Sequence, residues 1–353
     1  MSEKLKIGVI GAGWVSDYYH LPSYNAVQDL EIVGLCDINA ERAREMADKH
    51  CVEKIYTDLE EMLEKEQPDI ASVLVPSFLH EEVSKKVAKH GVNILIEKPM
   101  GNSLAECDKI IQAAEDANVK LAVAENFRYL AENVIAKQHI QKGLIGDPFF
   151  IRFEEYLSYI DTSYRGSREK LLVLEMDCHY AEAVRWLADS EVKTVHCVTR
   201  HIDNQDVPYE NFALITIEFE NGVVGVIEDN WAASRARNTF SRGRIDGTHG
   251  TIFMNWDIPY KTKIEIFSEK EDTKGWIIPE FPESQYDEYQ SDMVVPWAQT
   301  NMRGGTKRAI EDIMESIRND TPPPISGKEF KKTMEIVYAA YESAEKGQVV
   351  KLR

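Results

Sequence analysis

Residues Leu5 to Ile10 form a short apolar run that breaks into Gly11-Ala12-Gly13 and then into a helix-compatible stretch through Asp17-Tyr-Tyr-His20. A strand, a glycine turn and a helix in that order predict the opening unit of a doubly wound parallel sheet. Gly11 permits the tight turn. Gly13 lets a pyrophosphate approach the main-chain N–H groups of the turn, from Gly11 and Ala12 through Trp14 and Val15, at a helix N-terminus whose dipole favours an anion. Ser16 stands where a third glycine is usual and is small enough to keep helix and strand close. Taken alone, the pattern fits an ordinary glycine turn equally well. A second run, Glu31-Ile-Val-Gly-Leu-Cys36, ends in Asp37, at roughly the twenty-residue separation expected of a ribose-binding acid. A carboxylate there accepts ribose hydroxyls and repels a 2′-phosphate by about 1 kcal/mol at 4 Å even in bulk water. The sequence therefore favours NAD over NADP. NADP stays open, because Arg42 and Arg44 follow closely and either pair with a phosphate or lie on a solvated helix start.

The run Ile94-Leu-Ile ends in Glu97-Lys98-Pro99, which stops a strand and leaves two opposite charges at its end. That tripeptide also occurs at solvated strand ends, but here it lies downstream of the glycine turn, on the same edge of one sheet. Between them, Ile70 to Val75 reads as a strand ending in Pro76-Ser77-Phe-Leu-His80, followed by a helix from Glu81 to His90. A helix from Leu104 to Ala117 and a strand from Lys120 to Ala124 complete a parallel sheet. The first domain is accordingly residues 1–124 and the second 125–353. In the second, a helix from Asn133 to Lys142 precedes strands at Phe149–Tyr156, Thr194–Arg200, Phe212–Phe219, Val223–Asp229, Thr251–Asn255 and Lys263–Phe267. Asn221-Gly222 is a hairpin signal, so this α+β domain has a large, mostly antiparallel sheet. Ile277 to Thr306 reads as an irregular loop, and Ala309–Arg318 and Glu329–Glu345 as helices.

A chain of 353 residues with 43% apolar composition supports two cores. A net charge of −19 argues against nucleic acid or anionic membrane as a partner, since phosphate binding needs clustered Lys and Arg. The five cysteines are scattered and odd in number, with no C-x-x-C, so neither disulfides nor a zinc site is expected and a reducing cytoplasm fits. No basic-then-apolar leader precedes the first strand, and no apolar run approaches the roughly twenty residues that span a bilayer.

The stretch Leu171 to Leu187 reads as one helix, with Glu175, His179 and Glu182 on one stripe at i, i+4 and i+7. A carboxylate one turn from a histidine orients the ring and raises its basicity, as a proton shuttle requires. A partnered interior histidine or a solvated polar face gives the same pattern. His179 and Glu175 lack an evident third ligand, so no metal is expected.

Together these residues resemble the Gfo/Idh/MocA family of oxidoreductases over nearly the whole chain. The resemblance is carried by Ile10-Gly11-Ala-Gly13, Cys36-Asp37, Val75-Pro76-Ser77 with His80, Glu97-Lys98-Pro99, Asn126-Phe-Arg128, Gly143-Leu-Ile-Gly146, the His179 helix, Pro324-Ile-Ser-Gly327 and Ala339 to Ala344. It implies Lys98 and His179 as catalytic residues with Glu175 behind the histidine, Pro76, Ser77, His80 and Glu97 beside the cofactor, and Arg128 at the substrate. The family pattern Asp-x-Gly-x-His-x-x-Asp is here Glu175-Met-Asp177-Cys-His179-Tyr-Ala-Glu182. Asp177 replaces a glycine and is expected to grip sugar hydroxyls or repel an anionic substrate.

What the resemblance implies is hydride transfer between NAD and a hydroxyl-bearing carbon of a sugar, cyclitol or related polyol, by a cytoplasmic homodimer or homotetramer. Lys98 polarises the reacting oxygen and His179 moves its proton, with either as terminal base. Two alternatives stand beside this one. An NAD-dependent glycosidase working by transient oxidation differs in releasing no net NADH, and a non-catalytic ligand sensor on the same scaffold would bind without turnover.

Overall fold

The computed structural model describes residues 4–203, 205–233, 240–255, 263–279 and 296–352. The chain divides into two compact units, one of Met1–Tyr129 with Ala298–Met334 and the other of Leu130–Trp297 with Glu335–Arg353. Where the sequence reading ends the first domain at residue 124, the first unit thus also takes back a segment from near the C-terminus. Along the chain, the helices are α1 (Leu21–Asn25), α2 (Ala40–His50), α3 (Leu59–Glu66), α4 (His80–Lys89), α5 (Leu104–Asp116), α6 (Ala131–Gln141), α7 (Leu172–Glu175), α8 (Asp177–Ala188), α9 (Pro296–Asn319) and α10 (Gly327–Lys346).

The first unit is built on a six-stranded parallel sheet. Its strands are β1 (Leu5–Ile10), β2 (Leu30–Cys36), β3 (Ile55–Tyr56), β4 (Ile70–Val73), β5 (Asn93–Ile96) and β6 (Leu121–Val123), in the order β3-β2-β1-β4-β5-β6. This is the dinucleotide-binding order, which reverses between β1 and β4 and opens a crevice at the carboxyl ends of the strands. Both faces are covered, which is why Ile70–Val73 and Ile94–Ile96 are continuous buried runs and not alternating ones. Side chains from α9 complete the core: Ile310, Ile313 and Met314 cluster with Ile7, Val9, Leu21 and Leu35.

The second unit holds a nine-stranded sheet. To β7 (Pro148–Tyr156), β8 (Val192–Arg200), β9 (Phe212–Phe219), β10 (Val224–Asn230), β12 (Gly250–Asn255) and β13 (Lys263–Ser268) the structure adds β11 (Phe240–Gly247), β14 (Gly275–Ile277) and β15 (Val350–Lys351). The order is β14-β13-β12-β11-β7-β10-β9-β8-β15, antiparallel except where β7 and β10 run parallel. Asn221-Gly222 does turn β9 into β10, with Gly222 at φ +87°. One face alternates into the core under α8, through Ile151, Phe153, Ile215, Ile217 and Ile227. Gly225 allows that approach, because a Cβ there would lie 2.5 Å from Val184. Of the expected loop Ile277–Thr306, residues 280–295 lie outside the described residues, and from Pro296 onward the chain is already in α9.

Candidate functional site

At the carboxyl edge of the parallel sheet, Gly11 follows β1, Asp37 follows β2, Pro76 and Ser77 follow β4, and Glu97 and Lys98 follow β5. Gly11 sits at φ +105°, its N–H donates to the Cys36 carbonyl at 2.8 Å, and a Cβ would lie 2.7 Å from the Leu74 carbonyl oxygen. No other residue fits there. Gly13 differs: a Cβ there would meet nothing within 4 Å. Protein packing does not require that glycine, whereas a group approaching the backbone from the open side does.

Asp37 has a structural task that spacing alone does not reveal. Its Oδ2 accepts the Ala12 N–H at 2.7 Å and its Oδ1 accepts the Asn39 N–H at 2.8 Å. The carboxylate therefore ties the end of β2 to the glycine turn, and each oxygen keeps a lone pair for a ribose hydroxyl. Ser16 is wholly buried and donates from Oγ to the Gly11 carbonyl at 2.5 Å, so the serine closes the turn by a hydrogen bond that glycine would lack. After it, Ser16–His20 makes a π-helical turn leading into α1. Trp14 is exposed and Val15 half-buried. The N–H groups of Gly11 and Ala12, expected to face a pyrophosphate, are instead taken up by Cys36 and Asp37, and it is the open side of Gly13, the turn beyond it and the anchored acid that fit a dinucleotide.

Pro76 is half-buried, and Ser77 donates from Oγ to Asn102 Oδ1 at 2.9 Å. His80 is buried, with Nε2 2.9 Å from the Val75 carbonyl and Nδ1 3.1 Å from that of Pro99. Its ring thereby ties the segment after β4 to the cis peptide Lys98–Pro99. Arg128 is buried and donates from Nη1 to the Pro324 carbonyl at 3.2 Å, beside Tyr129, whose hydroxyl bonds Asp312.

Glu97 and Lys98 are half-buried. The Glu97 Oε2 accepts the backbone N–H of Lys98 at 3.0 Å, and its Oε1 lies 2.6 Å from His20 Nε2. Behind them, His20 Nδ1 lies 2.6 Å from the Tyr24 hydroxyl, which lies 2.7 Å from Ser72 Oγ. The sequence reading passes over His20, Tyr24 and Ser72. The i, i+4 spacing of His20 and Tyr24 is visible in the chain, but their meeting with Glu97 requires the sheet.

In the second unit, Leu171–Leu187 is not one helix. It breaks at Met176 into α7 and α8, and the His179 N–H bonds back only three residues, to Met176, at 3.0 Å. The stripe expected through Glu175, His179 and Glu182 assumes an unbroken helix, and Glu175 ends α7 instead. Both Glu175 oxygens meet guanidinium groups, Arg168 Nη1 at 3.0 Å and Arg165 Nη1 at 3.5 Å. Glu210 holds the start of α7, accepting the N–H groups of Leu171 and Val173 at 3.2 Å and the Tyr341 hydroxyl at 2.6 Å. His179 lies in the first turn of α8, 7% exposed.

Asp177 departs from the expectation that it grips substrate: it is 0% exposed, with its carboxyl turned into the core towards Asp229. Asp229 is the register partner of Glu155 on the neighbouring strand, and both are buried on the face under α8. As a carboxylate, Asp177 finds no donor for either oxygen among the described residues, and Asp229 has no well-formed one beyond the backbone N–H of Asn230. A proton on one supplies the missing donor to the other. Burial, reinforced by the charge of Glu155, pushes both well above the usual carboxylate range. Burial also raises Glu155 to about 7, against hydrogen bonds from Tyr180 and Ser241 that lower it.

Residues 5–125 match a family described as the oxidoreductase family with an NAD-binding Rossmann fold, and residues 134–253 match the Gfo/Idh/MocA C-terminal domain. Among curated proteins, the chain is 27% identical to D-apiose dehydrogenase of Paraburkholderia graminis, over 99% of this chain and 90% of that one. It is 25% identical to myo-inositol 2-dehydrogenase of Thermotoga maritima, over 99% and 98%. Among solved structures, an oxidoreductase from Agrobacterium radiobacter in complex with NAD+, L-tartaric acid and magnesium superposes with a TM-score of 0.87 at 23% identity, covering 99% of this chain and 98% of that one. Levoglucosan dehydrogenase in complex with NADH and levoglucosan superposes at 0.83 with 20% identity, covering 99% of both chains.

Proposed function

Since the chain belongs to the Gfo/Idh/MocA family of oxidoreductases, we propose that it is an NAD-dependent dehydrogenase acting on a hydroxyl-bearing carbon of a sugar, cyclitol or related polyol. The observation that carries this reading is Glu97-Lys98 at the carboxyl edge of the sheet that also presents the Gly11 turn and Asp37. The relatives act on D-apiose and myo-inositol by name, which favours a polyhydroxylated substrate here.

The N–H groups of Gly13, Trp14 and Val15 would hold the cofactor's pyrophosphate, Asp37 its adenosine ribose, and Pro76 and Ser77 would flank the nicotinamide side. Bound NAD supplies the hydride acceptor. Lys98 polarises the reacting hydroxyl, and His179 takes up or returns its proton. Lys98→Met should leave NAD affinity nearly intact and lower turnover by about a hundred- to ten-thousand-fold, the usual scale for an acid–base group. His179→Ala should fall comparably and flatten the pH profile near neutrality. The double variant should be little worse than the poorer single one, because groups acting as a unit are not additive. A screen of aldoses, inositols and amino sugars with NAD identifies the substrate, and near-normal turnover by either single variant removes that residue from the chemistry.

The assembly is a homodimer or homotetramer formed through the sheet face opposite α8. That face carries Leu214 and a cluster of Phe253, Phe267 and Trp276, with Trp276 60% exposed. Sedimentation of the Trp276→Glu variant tests this, dissociation being the expected result. No described helix is long and apolar enough to cross a membrane. The five free thiols are consistent with a reducing cytoplasm.

A further inference from the structure

We propose that His20 is a positioning residue for the Glu97-Lys98 strand end, the last protein link in a buried hydrogen-bond chain from Ser72 through Tyr24 and His20 to the Glu97 carboxylate. This rests on the reading that Lys98 acts on the substrate hydroxyl. The groups come from three parts of one unit: Ser72 from β4, His20 and Tyr24 from the helical stretch after the glycine turn, and Glu97 from the end of β5. Ser72 and His20 are 0% exposed and Tyr24 1%.

The direction of the chain follows from what each atom is able to do. A carboxylate only accepts, so the proton at the 2.6 Å contact between His20 and Glu97 sits on Nε2. In the neutral ring Nδ1 then accepts, and the 2.6 Å contact on that side is filled by the Tyr24 hydroxyl as donor. Burial keeps that hydroxyl protonated by pushing it above the ordinary phenol range. The Tyr24 oxygen in turn accepts from Ser72 Oγ at 2.7 Å. Each link carries one proton and all point at Glu97, so each polarises the next.

The consequence falls on Lys98. With Oε1 held by His20 and Oε2 by the Lys98 backbone N–H, the Glu97 carboxylate has one orientation and part of its charge is drawn towards the relay. Loss of His20 removes one of the donors that hold the Glu97 carboxylate beside the lysine, and the negative charge it had drawn away then favours the ammonium form. Tyr19 also faces the Glu97 charge, being raised to about 12 by burial and then by that charge, and Arg303 opposes the rise at Tyr19. Asp17, on the same helical turn, is occupied by Lys49 and His50.

The test compares His20→Leu, His20→Gln, Tyr24→Phe and Lys98→Met as full-length protein, each first checked by thermal melting. With NAD and the substrate found in the screen, His20→Leu should lower kcat about 10-fold or more, the scale of one lost hydrogen bond to a charged group. Its KM for NAD should change little, and the limb of the pH–rate profile lost in Lys98→Met should shift to higher pH. His20→Gln, whose amide N–H still reaches a carboxylate, should recover part of kcat, and Tyr24→Phe should lose less than His20→Leu. Independently of turnover, the acetylation rate of Lys98 in the cofactor-free protein, followed by mass spectrometry against pH, should fall at fixed pH in His20→Leu. Nitrogen-15 shifts should report the Nε2–H tautomer for His20. A folded His20→Leu with unchanged kcat, pH profile and Lys98 acetylation overturns the proposal while Lys98→Met remains inactive. A Lys98→Met variant that turns over normally overturns the functional reading, and the proposal with it.

Discussion

Asp37 joins two roles that a substitution can separate. In the proposed function its charge selects against a 2′-phosphate, while in the structure its two oxygens hold the N–H groups of Ala12 and Asn39. NAD should bind at least several-fold tighter than NADP, and Asp37→Ser should narrow or reverse that ratio while also costing about 1–3 kcal/mol for hydrogen bonds to a charged group. Fluorescence titration of both cofactors and urea unfolding read the two effects separately, and equal affinities in the unmutated protein would remove the ribose argument. The buried acids make a different statement. Glu155, Asp177 and Asp229 have folded-state values raised above those of the unfolded chain, so the stability they contribute is present below about pH 4 and is lost as pH rises. For Glu155 the loss runs from about 4 to the folded value of about 7, and for the aspartate pair it extends upward from the same lower bound. Asp177→Asn donates an amide N–H to Asp229 and removes one titrating group. It should be more stable than the unmutated protein at pH 8 by about 1–3 kcal/mol, with a smaller gap at pH 5. Urea midpoints at the two pH values measure this, and an equal gap at both would mean that no shared proton is held there.

At the scale of elements, the site depends on short breaks in regular structure. The glycine turn between β1 and the first helix is held open by the φ of Gly11 and its closeness to Leu74. Gly11→Ala should therefore destabilise the first unit and abolish NAD binding, whereas Gly13→Ala, with nothing near its Cβ, should fold normally and weaken NAD binding only. Melting temperature set beside NAD titration separates the pair, and equal effects on both would show that the turn is not built as described. In the second unit the break at Met176 places His179 at the start of α8, with Glu175 left behind in α7 between Arg165 and Arg168. A glutamate between two guanidiniums is a structural clasp, so Glu175→Gln should lower stability. If instead it lowers turnover with stability intact, the carboxylate does serve the histidine.

For the whole molecule, the return of residues 298–334 to the first unit matters most. Ile310, Ile313 and Met314 are nearly inaccessible and belong to the core around β1 and β2. At about 1.5–3 kcal/mol for each fully buried side chain, their loss is comparable to the 5–15 kcal/mol that hold a typical domain together. A fragment of residues 1–124 should consequently fail to fold and to bind NAD, and appending residues 298–334 through a short linker should restore both. Circular dichroism and cofactor titration decide it. A soluble 1–124 fragment with unimpaired NAD affinity would make the C-terminal segment dispensable.

Local chemistry made much of this protein legible in the sequence. Strand runs, Gly11, Asp37 and Glu97-Lys98 are readable because the order of strand, turn and acid constrains a parallel sheet at short range, and Asn221-Gly222 because a tight hairpin is written in two residues. β11 was not legible. Phe240 to Gly247 reads Phe-Ser-Arg-Gly-Arg-Ile-Asp-Gly, with little apolar alternation, and it is a strand because β7 and β12 pair with it on both sides. The Met176 break escaped for a similar reason, since the apolar period runs through it and the cap on α7 comes from Glu210, distant in sequence. Only tertiary structure decided what the charged residues do. It turned Asp177 into the core against Asp229 and drew Glu175 to two arginines. It also set His20 between Tyr24 and Glu97, 77 residues away, because partners of buried charges are chosen by packing and not by spacing along the chain.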